Sequence, residues 1–323
     1  MTKEHFLVTG GLGCIGAWVV RNLVRERTQV TIFDMAGDPH RLRLILSSAE
    51  LKEVNFLTGD ISDLNAVKSA VEESRVSHII HLAALQVPFC KADPSLGARV
   101  NVVGTVNVFE VAKQAGLRQV VYASSVAVYG LSEEYPERVI GHAAALHPRT
   151  HYGVYKQANE GTARIYSLDD DISSIGLRPY TLYGPGRDQG MTSSPTKAML
   201  AAAAGRPYHI PYGGRSEMQY TDDVAKIFIQ AARTPYQGAG VFNLRGSVAD
   251  MQQVIAAIEV AEPSVAGKIT FNPTPLPLPE ELDDTPLRSI LGVLPDTPLA
   301  EGVLSTVAFF KQALQDGRIS IKD

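Results

Sequence analysis

The sequence predicts an α/β protein, a doubly wound parallel sheet joined to a smaller, mostly C-terminal domain. Three observations carry that prediction. Over the first half of the chain, short apolar runs alternate with stretches of helical spacing, the signature of parallel strands covered on both faces. The first run, Phe6-Leu7-Val8, meets its helix through a glycine-rich turn, Thr9-Gly10-Gly11-Leu12-Gly13-Cys14-Ile15-Gly16. Past residue 184 the alternation gives way to loops, glycine turns and prolines.

The elements follow in order. Ala17 to Val24 has the apolar spacing of a buried helix. Val30 to Phe33 is a second strand ending in Asp34, and Arg41 to Ala49 a helix. Val54 to Leu57 is a third strand closing on Gly59-Asp60-Ile61; a helix from about Asp63 to Glu73 follows, capped by Ser62 or Asp63. His78 to Ala84 is a fourth strand, Asn101 to Ala115 a helix stopped by Gly116, and Val120 to Ser125 a fifth strand. Tyr152 to Leu168 is the next helix and Ser174 to Arg178 the sixth strand. Beyond the loop 184–190, Pro195 to Ala204 is a helix, Tyr208 to Tyr212 a strand before Gly213-Gly214, and Asp222 to Arg233 a helix. Pro273, Pro275, Pro277 and Pro279 preclude regular structure there, leaving a surface loop or a recognition motif. Residues 1–183 with about 218–245 are expected to form the sheet domain, and about 184–217 with 246–323 the second domain.

At 323 residues the chain can bury a full core, and 45% hydrophobic with 20% charged residues is the balance of a globular protein. A net charge of -4 without a run of Lys and Arg leaves no basic footprint for nucleic acid. No apolar segment spans a bilayer; Ala198 to Ala204 is short and flanked by Lys197 and Arg206. Met1-Thr2-Lys3-Glu4-His5 leads straight into the first strand, which is read as leaving no room for a signal peptide. Cys14 and Cys90 lack metal-ligand spacing, so no metal and a reducing cytoplasm are expected, with Cys14 a small packing residue.

A strand, a glycine turn and a helix start together make an anion-binding device. Gly10 permits the tight turn, Gly13 lets the backbone approach a pyrophosphate, and Gly16 lets helix and strand pack closely. The N–H groups of the first helical turn, at Cys14 and Ile15, would face the phosphates, with the helix dipole favouring negative charge. Asp34 stands 18 residues beyond Gly16, where an acid suits the ribose hydroxyls of NAD and repels the 2′-phosphate of NADP. Arg41 and Arg43, close by, keep NADP open.

Ligands of such sheets lie beyond the carboxyl ends of the strands, and the polar residues fall there. Tyr152 and Lys156 are four apart and share a helix face. A neighbouring ammonium favours a phenolate, so Tyr152 can take a proton from a secondary alcohol while hydride leaves its carbon. Lys156 would also hold the nicotinamide ribose. Ser125 closes the fifth strand, where its hydroxyl can bond the substrate oxygen. A serine that merely satisfies backbone groups at the strand end fits Ser124 better.

These motifs, with His81-Leu-Ala-Ala84, Asn101 to Thr105, Ser124 to Gly130, Leu177-Arg178-Pro179, Tyr183-Gly-Pro185 and Tyr220 to Val224, run in order along most of the chain. The chain resembles an extended short-chain dehydrogenase/reductase, the NAD-dependent epimerase/dehydratase family with its Rossmann sheet. The resemblance implies that Asp60 and Ile61 contact the adenine and that Leu82, Ala83 and Ala84 line the cofactor cleft. It places Asn101 and Pro179 near the nicotinamide half and Ser124 beside it. Ser125, Tyr152 and Lys156 would be the catalytic set, and helices Asn101 to Ala115 and Tyr152 to Leu168 would pair across a two-fold as a homodimer.

The departures concern the substrate. Members acting on nucleotide sugars usually carry an Arg four residues before the Tyr matched by Tyr220; Ser216 stands there, with Arg215 one residue off. A second family arginine is replaced by the apolar and acidic stretch Leu276 to Glu281, and the family's usual Lys by Gln86. A diphosphate needs cationic partners, so a smaller polyol-like or sugar-acid substrate is expected. Arg187 could serve a carboxylate or phosphate, and Gln86, Tyr180, His151 and Gln219 could meet hydroxyls, although each has an ordinary structural reading. Val126 and Ala127 stand where dehydratases usually carry an acidic pair. The alternatives are a nucleotide-diphosphate-sugar 4-epimerase using Arg187 or Arg215, and a non-catalytic NAD sensor.

Overall fold

The computed structural model describes residues 4–35 and 37–321, so the reading of Met1 to Lys3 lies outside the described residues. Seven parallel strands form the central sheet: β1 (His5–Thr9), β2 (Gln29–Asp34), β3 (Asn55–Thr58), β4 (His78–His81), β5 (Gln119–Ala123), β6 (Ser173–Arg178) and β7 (Ala239–Asn243). Their spatial order is β3-β2-β1-β4-β5-β6-β7. The order reverses between β1 and β4, which opens a crevice at the carboxyl end of β1.

Successive strand residues face opposite sides of a sheet, and β1 shows why both sides need helices. Phe6 and Val8 join a core with Val19, Val20 and Leu23 of the helix Cys14–Arg25 and Phe228 of the helix Thr221–Arg233. Leu7 joins a second core with Val71 of Leu64–Ser74, Phe109 of Gly104–Gln114 and Ala163 of His151–Asp170. These strand residues are fully buried, so β1 reads as a continuous apolar run.

A second lobe packs around Met199, Ile258 and Phe310 from the helices Ser194–Ala203, Met251–Ala261 and Leu299–Gln315. Its three-stranded sheet has the order Ser247–Asp250, Arg215–Tyr220, Thr181–Tyr183. Two short parallel pairs complete it, Tyr208–Ile210 with Ile269–Phe271 and Val139–Ile140 with Glu281–Leu282.

Several expected elements differ. The helix expected over Arg41 to Ala49 is two, His40–Ile45 and Ser48–Leu51. Leu46 is extended, and Ser47 and Glu50 form a capping box that starts the second. The helix expected from Asn101 begins at Pro94 and passes through a π turn, Arg99–Val103, into Gly104–Gln114. The strands expected to reach Ala84 and Ser125 stop at His81 and Ala123, leaving the following residues as irregular backbone around the crevice. Asp63, not Ser62, caps the helix Leu64–Ser74 through Asn65 N at 2.9 Å. The prolines of 273–279 are irregular, but the segment is not only surface: Leu276 is buried and Leu278 lines the cleft described below.

Candidate active site

The glycine turn is built by close approach. Gly10 has φ +70°, and a Cβ there would stand 2.6 Å from Ala83 N. At Gly16 a Cβ would stand 2.3 Å from Gly10 O, so the helix could not start against the turn with any larger residue. The first intrahelical bond is Ala17 N to Gly13 O at 2.9 Å, which leaves the N–H groups of Cys14, Ile15 and Gly16 ahead of the ladder. Gly13 supplies no side-chain cap and the first turn holds no acid. Gly10, Gly13, Cys14, Ile15 and Gly16 all line one cleft, so the positive end of this helix is offered to it. Burial pushes the Cys14 thiol up, which fits a packing residue.

Asp34 ends β2 with both carboxylate oxygens on the backbone, accepting from Leu12 N at 2.9 Å and Met35 N at 2.8 Å. Burial raises its carboxyl, and those two bonds and Arg41 resist the rise. Arg41 donates to Leu12 O at 2.9 Å and pairs with Asp188, while Arg43 pairs with Asp38. Both guanidinium groups that left NADP open are therefore engaged with acids. Leu82 and Ala84 line the cleft, and Ala83 backs Gly10. Asp60 is exposed and accepts from Ser62 N, and Ile61 is buried against Gly104; like Asp34, neither is among the residues lining the cleft. Asn101 is buried away from it too, bonded to Leu85 N at 2.7 Å, Leu85 O at 3.0 Å and Cys90 Sγ at 3.1 Å. It holds the loop after β4. Pro179 lines the cleft, and its carbonyl accepts from Val126 N at 3.0 Å.

Ser124, Ser125, Tyr152 and Lys156 come together beyond β5. Thr150 caps the helix His151–Asp170 through Gly153 N at 3.0 Å, and a Cβ on Gly153 would stand 2.1 Å from Ala127 O. The helix start is thus pressed onto the turn after Ser125. Lys156 Nζ donates to Ala123 O at 2.6 Å and lies 5.6 Å from the centre of the Tyr152 ring. Burial lowers its ammonium to about 8, with Cys90 and Glu160 opposing the fall. Burial raises the Tyr152 phenol, and the groups that pull it back are the Ser125 hydroxyl and Arg187. Ser125 and Arg187 are thus two groups that favour the phenolate. The two serines also differ from expectation. Ser125 Oγ caps the next turn, accepting from Ala127 N at 3.1 Å, whereas Ser124 Oγ donates to Glu160 at 2.5 Å.

Across the cleft stand Arg187, Gln86 and Tyr180. Arg187 donates from Nη2 to Thr192 Oγ1 at 3.0 Å, and its buried Nε has no partner. Gln86 packs against Gly190 beside that guanidinium. Tyr180 offers only its ring, since its hydroxyl donates to Pro279 O at 2.6 Å. His151 is exposed and Gln219 is buried between Tyr180 N and Leu244 O; neither lines the cleft. Arg215 pairs with Glu281 and Ser216 is buried, both outside it. Sequence reasoning missed Met191, Thr192 and Leu278, which follow the glycine loop or sit among the prolines. It also missed Glu160, although four-residue spacing from Lys156 marks the same helix face.

The cleft fits a dinucleotide: an uncapped helix start, a turn whose glycines cannot carry side chains, and an acid at the end of β2. Comparison with known proteins agrees. Residues 6–244 match the NAD dependent epimerase/dehydratase family. The UDP-glucose 4-epimerase of Mycolicibacterium smegmatis is 31% identical over 319 residues, 96% of this chain and 99% of that protein. UDP-glucuronate 4-epimerase 2 of Arabidopsis thaliana is 31% identical over 242 residues, 72% of this chain and 55% of that protein. The crystal structure of the Thermus thermophilus UDP-glucose 4-epimerase in complex with NAD aligns with a TM-score of 0.80 at 27% identity, covering 96% of this chain and 100% of that one. The chain belongs to the NAD-dependent epimerase/dehydratase family and is an NAD-dependent enzyme, a sugar epimerase or dehydrogenase.

Proposed function

We propose that the substrate is a sugar-type molecule bearing a carboxylate, oxidised at a secondary alcohol with Ser125, Tyr152 and Lys156 as the catalytic set. The observation that carries the reading is Arg187. Among the described residues lining the cleft only Lys156 and Arg187 are cationic, and the Arg187 Nε is buried without a partner. A planar guanidinium lining the cleft suits a carboxylate. The pairing of Arg215 with Glu281, outside the cleft, supports the smaller anion over a diphosphate.

In this reading the glycine turn and first helix hold the pyrophosphate, and Asp34 the adenosine ribose. NAD, when bound, supplies the hydride acceptor. Ser125 donates to the substrate oxygen and Tyr152, as phenolate, removes the hydroxyl proton as the carbon–hydrogen bond yields hydride. Lys156 holds the nicotinamide ribose. Residues of about 184–217 and 246–323 form the substrate domain, supplying Arg187, Met191, Thr192 and Leu278. The exposed apolar side chains Leu96, Val103, Val154, Ile165 and Leu168 on the helices after β4 and β5 support a homodimer, and two unpaired cysteines suit the cytoplasm.

A second reading, a nucleotide-diphosphate-sugar 4-epimerase, draws on the full-length identity to the M. smegmatis protein. One screen separates them: aldonates and uronates against UDP-sugars with excess NAD, following NADH absorbance and sugar products. NADH from a sugar acid, with Arg187→Met raising KM about tenfold for it, is the expected result. An epimerised UDP-sugar with no sugar acid oxidised establishes the second reading instead.

A further inference from the structure

We propose that Glu160 is a positioning residue for the catalytic set: backed by Arg178, it anchors Ser124 at the end of β5 and sustains the charge on Lys156. The proposal rests on the reading of Ser125, Tyr152 and Lys156 given above.

Tyr152, Lys156 and Glu160 follow one another at four-residue spacing, so they share one face of the helix His151–Asp170. Each meets one of three consecutive residues at the end of β5. Lys156 donates to Ala123 O at 2.6 Å and Glu160 accepts from Ser124 Oγ at 2.5 Å, while the Ser125 hydroxyl holds down the Tyr152 phenol that burial raises. A single helix face therefore sets the backbone that carries Ser125.

Behind Glu160 the bonding continues. Arg178 forms a bidentate pair with it, from Nε at 2.8 Å and Nη2 at 2.7 Å. Arg178 Nη1 donates to Tyr129 Oη at 2.5 Å and His142 O at 2.7 Å, and Tyr129 donates to Asn243 Oδ1 at 2.8 Å. Glu160 is 8% exposed and Arg178 3%. A buried pair of this kind contributes little to stability compared with apolar residues of the same shape, so its placement points to another use.

That use follows from what faces Lys156. His81 of β4 is held at about 3 by burial and is neutral. Burial raises the thiol of Cys90, from the helix Val87–Ala92, and the phenols of Tyr152 and Tyr122. Arg187 and Arg178 are cations. Cys90 and Glu160 are the groups that oppose desolvation of the ammonium; burial keeps the Cys90 thiol protonated, so the negative charge comes from Glu160, ion-paired with Arg178.

The test reads Lys156 directly and needs no substrate. The full chain with NAD is labelled with acetic anhydride across pH 6–10, and Lys156 acetylation is measured by peptide mass spectrometry. Glu160→Gln, which keeps the shape and a bond to Ser124, is expected to lower the Lys156 midpoint by about one pH unit, and Glu160→Asp to restore most of the shift. A folded Glu160→Gln protein with an unchanged midpoint overturns the proposal. Should that variant not fold, Glu160→Gln/Arg178→Met leaves no unpaired buried charge and must move the midpoint in the same direction; an unchanged midpoint there overturns it equally. If the screen above finds no oxidised alcohol, the catalytic reading fails while this titration still reports on Glu160.

Discussion

Acidification should remove the stability that one buried histidine contributes to this protein. His81 closes β4 at 3% exposure, with Nδ1 2.7 Å from Thr9 Oγ1 and Nε2 3.0 Å from Thr105 Oγ1. Thr105 already donates to Asn101 O at 2.8 Å, so its oxygen accepts from Nε2–H and Nδ1 is the acceptor for Thr9. A second proton has no partner there, and burial with the Lys156 charge lowers the ring from 6.5 to about 3. The folded state thus binds fewer protons than the unfolded state below pH 6.5. Its contribution is intact above 6.5 and is lost progressively as pH falls toward 3. Between pH 7 and 5 the loss is about 2 kcal/mol. Urea unfolding followed through Trp18, the one tryptophan, measures it in the wild type and in His81→Gln. Glu217 titrates with the opposite sign, because burial raises it to about 8 and its contribution fades as pH rises. It is present in both proteins and cancels in the difference. The wild type should lose about 2 kcal/mol more than the variant over this interval. Equal losses would refute the assignment of His81 as a buried neutral ring.

Two further outcomes test the cleft. Tyr152→Phe keeps the ring beside Lys156 but removes the proton acceptor, so kcat should fall by about 10²–10⁴-fold with NAD affinity, measured by calorimetry, within about threefold. Asp34→Ser removes the acid that would oppose a 2′-phosphate, so the preference for NAD over NADP in a binding titration should shrink by at least about tenfold.

The sheet was legible where parallel strands are buried on both faces, because burial writes them as unbroken apolar runs. Phe6 to Val8 and Ile79-Ile80 have no polar interruption to confuse the pattern. Strand β7, Ala239–Asn243, was not legible: Gly240 and a half-exposed Val241 blur the period at the sheet edge. The break at Leu46-Ser47 depends on a capping box whose residues, Ser47 and Glu50, also fit a continuous helix. The second lobe was the least legible. Its strands run two to six residues and pair with segments far away in sequence, as Val139–Ile140 does with Glu281–Leu282. No local pattern encodes such a partner.

The same contrast divides the two sides of the cleft. The cofactor side is made by local rules: a Cβ cannot fit at Gly10 or Gly16, and a helix start must present its N–H groups, so spacing alone locates them. The substrate side is made by tertiary choice. Arg187 and Arg215 are alike in the sequence, and each keeps a buried Nε without a partner, yet Arg187 lines the cleft while Arg215 leans on Glu281 outside it. What separates them is the short strand Glu281–Leu282, held against Val139–Ile140, which brings Glu281 to both Arg245 and Arg215. Asn101 shows the same dependence on tertiary partners. Its place in a motif marked it for the cofactor, but the Leu85 backbone after β4 claims both ends of its amide. A buried amide in this fold is first answerable to the backbone that needs it, so its place in a motif does not by itself say what it binds.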